Sequence, residues 1–220
     1  MSLHALSSLD GRYEKETSPL RDFFSEFAYL RARARLELDF LTALSKTGII
    51  SAESLSGWKP DLQEFTDEDA LKIQEHEKTT RHDVKAIEYF LREKIPAELH
   101  QWVHFGLTSE DVNNLAQALA LRESRDRILL PAFDNLLTSL RDFAKKYRAA
   151  PMLARTHGQP AVPTTLGKEI AVYLARLLKC RDELTSHEFE GKLNGAVGNF
   201  NAMQATYPNI DWLAFQPTTP

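Results

Sequence analysis

Two long series of apolar residues, spaced three or four positions apart, limit the possible folds of this chain more than any other feature. The first comprises Leu115, Ala118, Leu119, Leu129, Phe133, Leu136, Leu140, Phe143 and Tyr147, and the second Ile170, Leu174, Leu177, Leu178 and Leu184. This spacing predicts two long amphipathic α-helices, the first bent at Pro131. Because two such helices do not bury their apolar faces as a pair, we expect a bundle of about four helices or more. We expect its other helices to come either from chain beyond residue 220 or from partner chains.

The first 108 residues predict a separate helical domain, and residues 109–220 predict the beginning of a central bundle of long helices. Ser18 and Pro19 are typical of an N-cap followed by the first helical position. The apolar residues that follow them at helical spacing are Phe23, Phe27, Leu30, Ala34, Leu38, Leu41 and Leu44. Leu and Ala far outnumber Val and Ile, and the chain has only 9 glycines. This composition predicts an all-α fold.

The charge and the apolar content exclude several classes of protein. The net charge is −4 and the pI is about 6.0, so no basic field favours nucleic acid or an anionic membrane as a partner. No apolar run reaches the roughly 20 residues that span a bilayer, and the N-terminus does not have the pattern of a signal peptide. Cys180 is the only cysteine, which is typical of a cytoplasmic protein, and its helical surroundings predict core packing.

Four polar clusters interrupt the helical pattern. They are DGRY (Asp10–Tyr13), TTRHDVKA (Thr79–Ala86), GLTSEDVNN (Gly106–Asn114) and RTHGQP (Arg155–Pro160). Taken alone, DGRY is typical of a turn, Asp83 of a helix cap, and Thr108 with Asp111 of a helix start. The prolines around RTHGQP predict a stiff loop.

The clusters also contain the groups needed to bind an anion and transfer a proton. Thr108 and Ser109 place two hydroxyls at a predicted helix N-terminus, which favours a carboxylate or a phosphate. Arg12 and Arg81 add guanidinium groups that bind such anions through two hydrogen bonds. Histidine has an ordinary pKa of about 6.5 and can hold or release a proton near neutral pH. The spacing of the clusters does not itself bring them together.

Other kinds of site receive little support. His100 and His104 have the spacing of a metal-binding pair on a helix, but HQWVH lacks the glutamate of the HExxH motif. We therefore expect these histidines to pack or to support other groups, and we expect no metal. Gly191, Gly195 and Gly198 do not have the spacing of a phosphate-binding loop.

Taken together, the four clusters resemble the adenylosuccinate lyase family of the fumarase/aspartase superfamily. The matching segments are DGRY, EKTTRHDVKAIEYF, HFGLTSEDVNNLAQALAL, PMLARTHGQPAVPTTLGKE and GKLNGAVGNFNA, in the order in which the family has them. The resemblance covers about residues 9–212. It implies an all-helical fold and a homotetramer in which three subunits around a central helix bundle build each active site.

The resemblance also implies roles for individual residues. His157, in THGQP, matches the general acid that protonates the departing nitrogen, and His82, in RHDVKA, matches a catalytic histidine near the phosphate and the leaving group. The substrate-binding positions that it implies are Arg12, Tyr13, Arg81, Asp83, Thr108, Ser109, Thr156 and Gln159. Among them, Thr108 and Ser109 match residues that hold the succinyl carboxylates.

The implied reaction is a β-elimination that releases fumarate from adenylosuccinate, giving AMP, or from SAICAR, giving AICAR. It is a step of purine biosynthesis that needs neither a cofactor nor a metal. In the family the base is a serine on a loop of the SSxMPxKxNP type, and no such phrase occurs in these 220 residues. We therefore expect this chain alone to be inactive or nearly so.

Two alternative functions stay open at this point. One is another lyase of the superfamily, acting on a substrate such as argininosuccinate. The other is a helical module that only binds partners or assembles. RHDVKA together with DGRY disfavours the first, and the four polar clusters disfavour the second.

Overall fold

The computed structural model describes residues 5–55 and 65–215. The α-helices are α1 (Glu14–Thr17), α2 (Arg21–Phe24), α3 (Glu26–Lys46), α4 (Asp67–Thr80), α5 (Asp83–Lys94), α6 (Ser109–Ser124), α7 (Leu130–Lys146), α8 (Leu166–Ser186) and α9 (Asn201–Thr206). The strands are β1 (Pro151–Thr156) and β2 (Gln159–Thr165), and 3₁₀-helices span Ser18–Leu20 and Ala97–Trp102. The all-α expectation is confirmed, with this hairpin as an addition.

The chain forms two compact units. The first contains Met1–Leu121 and Glu190–Pro220, and the second contains Arg122–Phe189. The sequence-based division at residue 108 stays a prediction.

The core of the first unit lies between α3, α4, α5 and the C-terminal segment. Its buried residues include Leu30, Ala34, Leu38, Phe40, Leu41, Leu44, Ile73, Ile87, Phe90, Leu91, Leu99, Met203 and Trp212. From Phe27 to Leu44, the predicted apolar series therefore does form the inner face of one helix, whereas Phe23 is buried in α2.

Helix α3 begins later than the sequence predicts. Ser18 and Pro19 lie in a 3₁₀ turn, and the chain is extended at Ser25 before α3 starts at Glu26. The cause is local, because the Ser25 hydroxyl accepts a hydrogen bond from the Ala28 N–H and so caps α3. At the start of α4, Thr66 and Asp69 form a reciprocal capping box. The Thr66 hydroxyl accepts the Asp69 N–H, and the Asp69 carboxylate accepts the Thr66 N–H.

The first long helix is irregular just before Pro131, close to the predicted bend. A π-helical turn spans Arg125–Leu129 between α6 and α7. A proline has no N–H for the bond one turn back, so the preceding turn is free to widen. The charged run from Arg122 to Arg127 is not simply a solvated face, because Ser124 and Arg125 are buried.

In the second unit, α7 packs against α8, and the β-hairpin lies between these two helices in the sequence. Gly167 allows a close approach, because a Cβ at this position would lie 2.3 Å from the Ala144 carbonyl oxygen. Few side chains are buried, and the large apolar residues exposed in this unit include Leu129, Leu136, Phe143, Leu153, Val162, Val172 and Tyr173. Cys180 is also exposed, which corrects the expectation of core packing.

The C-terminal segment is covered more fully than its sequence indicates. Trp212 is only 2% exposed and packs in the core of the first unit, where its ring lies 5.4 Å from that of Phe215. Leu213 between them is 85% exposed. Across the part of the chain that the structure describes, no helix is both long and apolar enough to cross a membrane.

Candidate functional site

The turn between α4 and α5 presents the RHD residues. Arg81 ends α4 in a left-handed conformation with φ of 51°, and its N–H still donates to the Glu77 carbonyl. His82 is then the N-cap of α5, and its ring Nδ1 accepts the Lys85 N–H at 3.3 Å. The residue that caps α5 is therefore His82, and not Asp83 as the sequence predicts. The side chains of Arg81 and His82 face solvent.

The second cluster meets the first through a side-chain contact. The His82 Nε2 lies 3.3 Å from the hydroxyl oxygen of Ser109, the first residue of α6. Because Nδ1 accepts a backbone N–H, the neutral ring carries its proton on Nε2 and donates to Ser109. The structure therefore brings together two residues that are 27 positions apart in the sequence.

This geometry disfavours a nucleophilic serine. In a Ser-His-Asp triad, the Nδ1–H donates to the carboxylate while Nε2 takes the serine proton. Here Nδ1 accepts instead, and Asp83 Oδ1 lies 3.6 Å from it. A hydroxyl and an N–H at a helix N-terminus favour binding of an anion.

Asp83 is held by a buried arginine that the sequence analysis did not single out. The Arg33 Nη1 donates to Asp83 Oδ2, while Asp83 Oδ1 accepts the Val84 N–H at 2.8 Å. Partial burial alone would raise the pKa of Asp83, but the Arg33 guanidinium and this N–H hold that pKa below its usual value. Asp83 is therefore ionised at neutral pH.

The start of α6 depends on Asp111, which is fully buried. Its Oδ2 accepts the Thr108 N–H at 2.9 Å and the Gly195 N–H at 3.0 Å. Its Oδ1 accepts the Asn194 N–H at 3.2 Å and lies 2.5 Å from Lys192 Nζ. One carboxylate thus fixes both the Thr108–Ser109 turn and the glycine-spaced segment after Glu190.

Asn114, one turn further along α6, also holds the segment after Glu190. Its Oδ1 accepts the Lys192 N–H at 2.7 Å, and its Nδ2 donates to the Lys192 carbonyl at 3.0 Å. The sequence predicted Asp111 as a helix-start residue. It carried no signal for Lys192, Asn194 or Gly195, because these partners lie 81–84 positions away.

His104 supports the loop that leads into α6. Its N–H donates to Glu37 Oε2 at 3.1 Å, and its ring Nδ1 lies 2.5 Å from Glu37 Oε1. Burial alone would lower the pKa of His104. The hydrogen bond to Glu37 and the negative charges of Glu37 and Glu88 outweigh burial and raise this pKa above its ordinary value, while the positive charge of Lys85 lowers it slightly. The predicted supporting role of His104 agrees with this contact.

The Glu37–His104 pair predicts a specific dependence of stability on pH. Because folding raises the pKa of His104, the pair contributes fully below about pH 6.5 and loses its contribution as the pH rises through the raised pKa. We expect the difference in free energy of unfolding between the native chain and Glu37→Gln to shrink over that interval. Urea unfolding from about pH 5 to about pH 9 measures it. The exposed Glu98→Gln is the matched control, and a difference that grows with pH would contradict this assignment.

The RTHGQP cluster forms the tip of a hairpin and not the predicted loop. Thr156 pairs with Gln159 across a two-residue turn, in which His157 and Gly158 have φ of 49° and 76°. Positive φ at both positions is typical of the type I′ turn that matches the twist of a hairpin. The hairpin therefore presents the exposed His157 at its tip, and the Arg155 guanidinium donates to the Gly158 carbonyl at 3.3 Å.

The structure thus joins some of the predicted site residues and leaves others apart. His82, Asp83, Thr108 and Ser109 share one region of the first unit. Arg12 and Tyr13, in the turn before α1, are exposed, and among the described residues no hydrogen bond joins them to His82 or Ser109. Thr156, His157 and Gln159 belong to the second unit. Within residues 5–55 and 65–215, no group of three His, Cys, Asp or Glu side chains is arranged to hold a metal ion.

Comparisons with known proteins agree with the sequence resemblance. A family model described as Lyase matches residues 11–218. The chain is 44% identical to the adenylosuccinate lyase of Haemophilus influenzae over 225 residues, and 43% identical to that of Escherichia coli. Both alignments cover 97% of this chain and 49% of the relative, so the chain spans about half the length of the curated relatives it matches.

Solved structures support the fold. The fumarate lyase of a Mesorhizobium species aligns with a TM-score of 0.74 at 21% identity, over 84% of this chain and 44% of that one. The 3-carboxy-cis,cis-muconate lactonizing enzyme of Pseudomonas putida aligns with a TM-score of 0.68 at 22% identity, over 86% of this chain and 44% of that one.

Proposed function

The chain belongs to the lyase family whose model matches residues 11–218, and from this premise we propose that it supplies the substrate-binding and proton-donating half of an adenylosuccinate lyase. Relatives of that name are 38–44% identical to nearly the whole chain. The observation that carries the proposal is the contact of His82 with Ser109 at the N-terminus of α6, next to the Arg33–Asp83 pair. This contact places a proton donor and a hydroxyl where a helix end favours an anion.

The proposed reaction is the β-elimination of fumarate from adenylosuccinate or SAICAR. A base removes a proton from the carbon next to a carboxylate, and fixed donors stabilise the charge that develops there. Thr108 and Ser109 are the proposed carboxylate-binding residues. A positioned acid that protonates the leaving nitrogen typically contributes about 10²–10⁴ in rate, and His157 is the proposed acid.

The remaining predicted residues receive binding roles in the same proposal. Arg12, Tyr13, Arg81 and Asp83 contact the nucleotide or line its site, and Thr156 and Gln159 flank His157 on the hairpin. The proposal requires no cofactor, because the substrate's own carboxylate accepts the developing charge.

A homotetramer in the cytoplasm is part of this proposal. The second unit exposes large apolar side chains, among them Leu129 just before α7 and Leu136 and Phe143 within α7. Such a surface is typical of helices that pack against other helices. In the proposed tetramer, His157 of one copy acts on a substrate held at the His82–Ser109 pair of another copy.

Ligand binding tests the proposal without requiring turnover. We expect the 220-residue chain to bind adenylosuccinate, and His82→Asn and Arg12→Ala each to weaken binding by about tenfold or more, the loss expected for one charge-assisted contact. Asparagine retains a helix cap at position 82 but withdraws the group next to Ser109. Isothermal titration calorimetry measures the dissociation constants, and Arg21→Ala, an exposed arginine paired with Glu14, is the control for charge.

The outcomes separate the alternatives. Tighter binding of argininosuccinate than of adenylosuccinate would favour another lyase of the superfamily. A chain that associates with itself but binds neither compound would favour an assembly module and would contradict the proposal.

A further inference from the structure

One face of α3 carries buried polar residues in the middle of an otherwise apolar helix surface. Tyr29, Arg33 and Glu37 follow one another at intervals of four residues and therefore lie on the same face. Arg33 and Glu37 are each only 1% exposed. We call these three residues the α3 polar stripe.

Arg33 connects three helices. Its Nη1 donates to Asp83 at the start of α5 and lies 3.4 Å from Asn113 Oδ1 on α6. Its guanidinium carbon lies 4.0 Å from the ring centre of Tyr29, within the range of a cation–π interaction. The residue that follows His82 and the residue four positions after Ser109 are thus held by one side chain.

Glu37 holds the loop that leads into α6. Both of its carboxylate oxygens contact His104, one through the backbone N–H and one through the ring. His104 adopts a left-handed conformation with φ of 60°, four residues before Thr108. This bend costs a non-glycine residue free energy, and the two contacts with Glu37 offset that cost.

Stability alone does not account for buried charges in this position. Replacing a buried ion pair by apolar residues of similar volume is often neutral or stabilising, because desolvation of the charges costs so much. Within the part of the chain that the structure describes, the buried Arg33 Nε has no hydrogen-bond partner, so its desolvation is not fully compensated. In some proteins, buried polar groups of this kind are retained because they fix one geometry.

We propose that Arg33 and Glu37 are positioning residues that set His82 against Ser109 and so shape the anion site; this inference rests on the proposed function. Arg33 sets where α5 begins relative to α6, and Glu37 sets the path of the chain that enters α6. The contact between His82 and Ser109 is 3.3 Å long, so a shift of about 1 Å between the two helix ends is enough to break it. Because both side chains are buried, we assign them no direct contact with the substrate.

The test uses Arg33→Met and Glu37→Gln, with Arg35→Met as the matched control. Arg35 lies on the same helix but is exposed, and its pair with Asp39 has a separation of 3.9 Å. The first measurement is the ¹⁵N and ¹³C NMR signature of the His82 ring in the unliganded chain, which reports its tautomer and hydrogen bonding. We expect a fixed Nε2–H tautomer in the native chain and in Arg35→Met, and an exchanging ring in Arg33→Met and Glu37→Gln.

The second measurement is the affinity for adenylosuccinate. We expect Arg33→Met and Glu37→Gln to lose about tenfold or more, as His82→Asn does, while Arg35→Met retains the native value. Arg33→Lys keeps the buried charge, and we expect it to restore part of the fixed His82 signature. If Arg33→Met does not fold, Glu37→Gln still tests the positioning role through the His82 signature.

The two measurements test the positioning role and the proposed function separately. If the His82 signature changes in the Arg33 and Glu37 variants but the native chain does not bind adenylosuccinate, the proposed function is wrong and the positioning role stands. An unchanged His82 signature in Glu37→Gln and in folded Arg33→Met would overturn the positioning role, even if both variants were less stable.

Discussion

Replacing Asp111 with alanine is expected to lower the free energy of unfolding of the first unit by about 3–5 kcal/mol, the cost of breaking a buried ion pair by removing one partner. The fully buried carboxylate accepts the N–H groups of Thr108, Asn194 and Gly195 and pairs with Lys192. Alanine leaves these donors without an acceptor, and each unsatisfied buried donor costs about 1–3 kcal/mol. Since a domain is typically stable by about 5–15 kcal/mol, the variant is close to unfolding.

Urea unfolding measures this loss, and hydrogen exchange shows where it occurs. We expect faster exchange at the Asn194 and Gly195 amides and at the start of α6, because their acceptor is gone. Glu110→Ala, at the exposed neighbouring position, is the control and is expected to change stability by less than about 1 kcal/mol. A loss of the same small size for Asp111→Ala would show that the carboxylate does not hold these segments together.

Replacing Trp212 with alanine is expected to cost a similar amount, about 3–5 kcal/mol, as is typical of large aromatic residues in a core. The indole is 2% exposed, packs on the ring of Phe215, and donates from Nε1 to the Tyr207 carbonyl at 3.0 Å. Its removal leaves a cavity in the core of the first unit and takes one of two donors from the Tyr207 carbonyl, which still accepts the Ile210 N–H. We expect the C-terminal segment to become sensitive to proteolysis as a consequence.

The neighbouring Leu213 provides a strict control for this second variant. Leu213 is 85% exposed, so Leu213→Ala removes an apolar side chain from the same segment without opening a cavity. We expect its urea midpoint to be nearly native, while that of Trp212→Ala falls sharply. Equal effects of the two substitutions would mean that Trp212 does not anchor the segment.

Both predictions concern contacts that join distant parts of the sequence. Asp111 and Gly195 are 84 positions apart, and no periodic pattern relates them. The polar clusters themselves were visible in the sequence, because they interrupt helical periodicity with residue types that bind anions. Their supporting residues were not visible, since Arg33 and Glu37 lie within a helix whose other buried residues are apolar.

The sequence by itself determined the helical class, the positions of the main helices and the identity of the polar clusters. It did so because helix periodicity, capping and turn residues act over a few neighbouring positions. Only the tertiary structure decided that His82 caps a helix and meets Ser109, that His157 lies at a hairpin tip, and that Trp212 is buried. The His82–Ser109 contact and the burial of Trp212 depend on segments far apart in the chain, whose free energies no local pattern records. The His82 cap and the His157 turn are local, but several local structures compete at each of these positions.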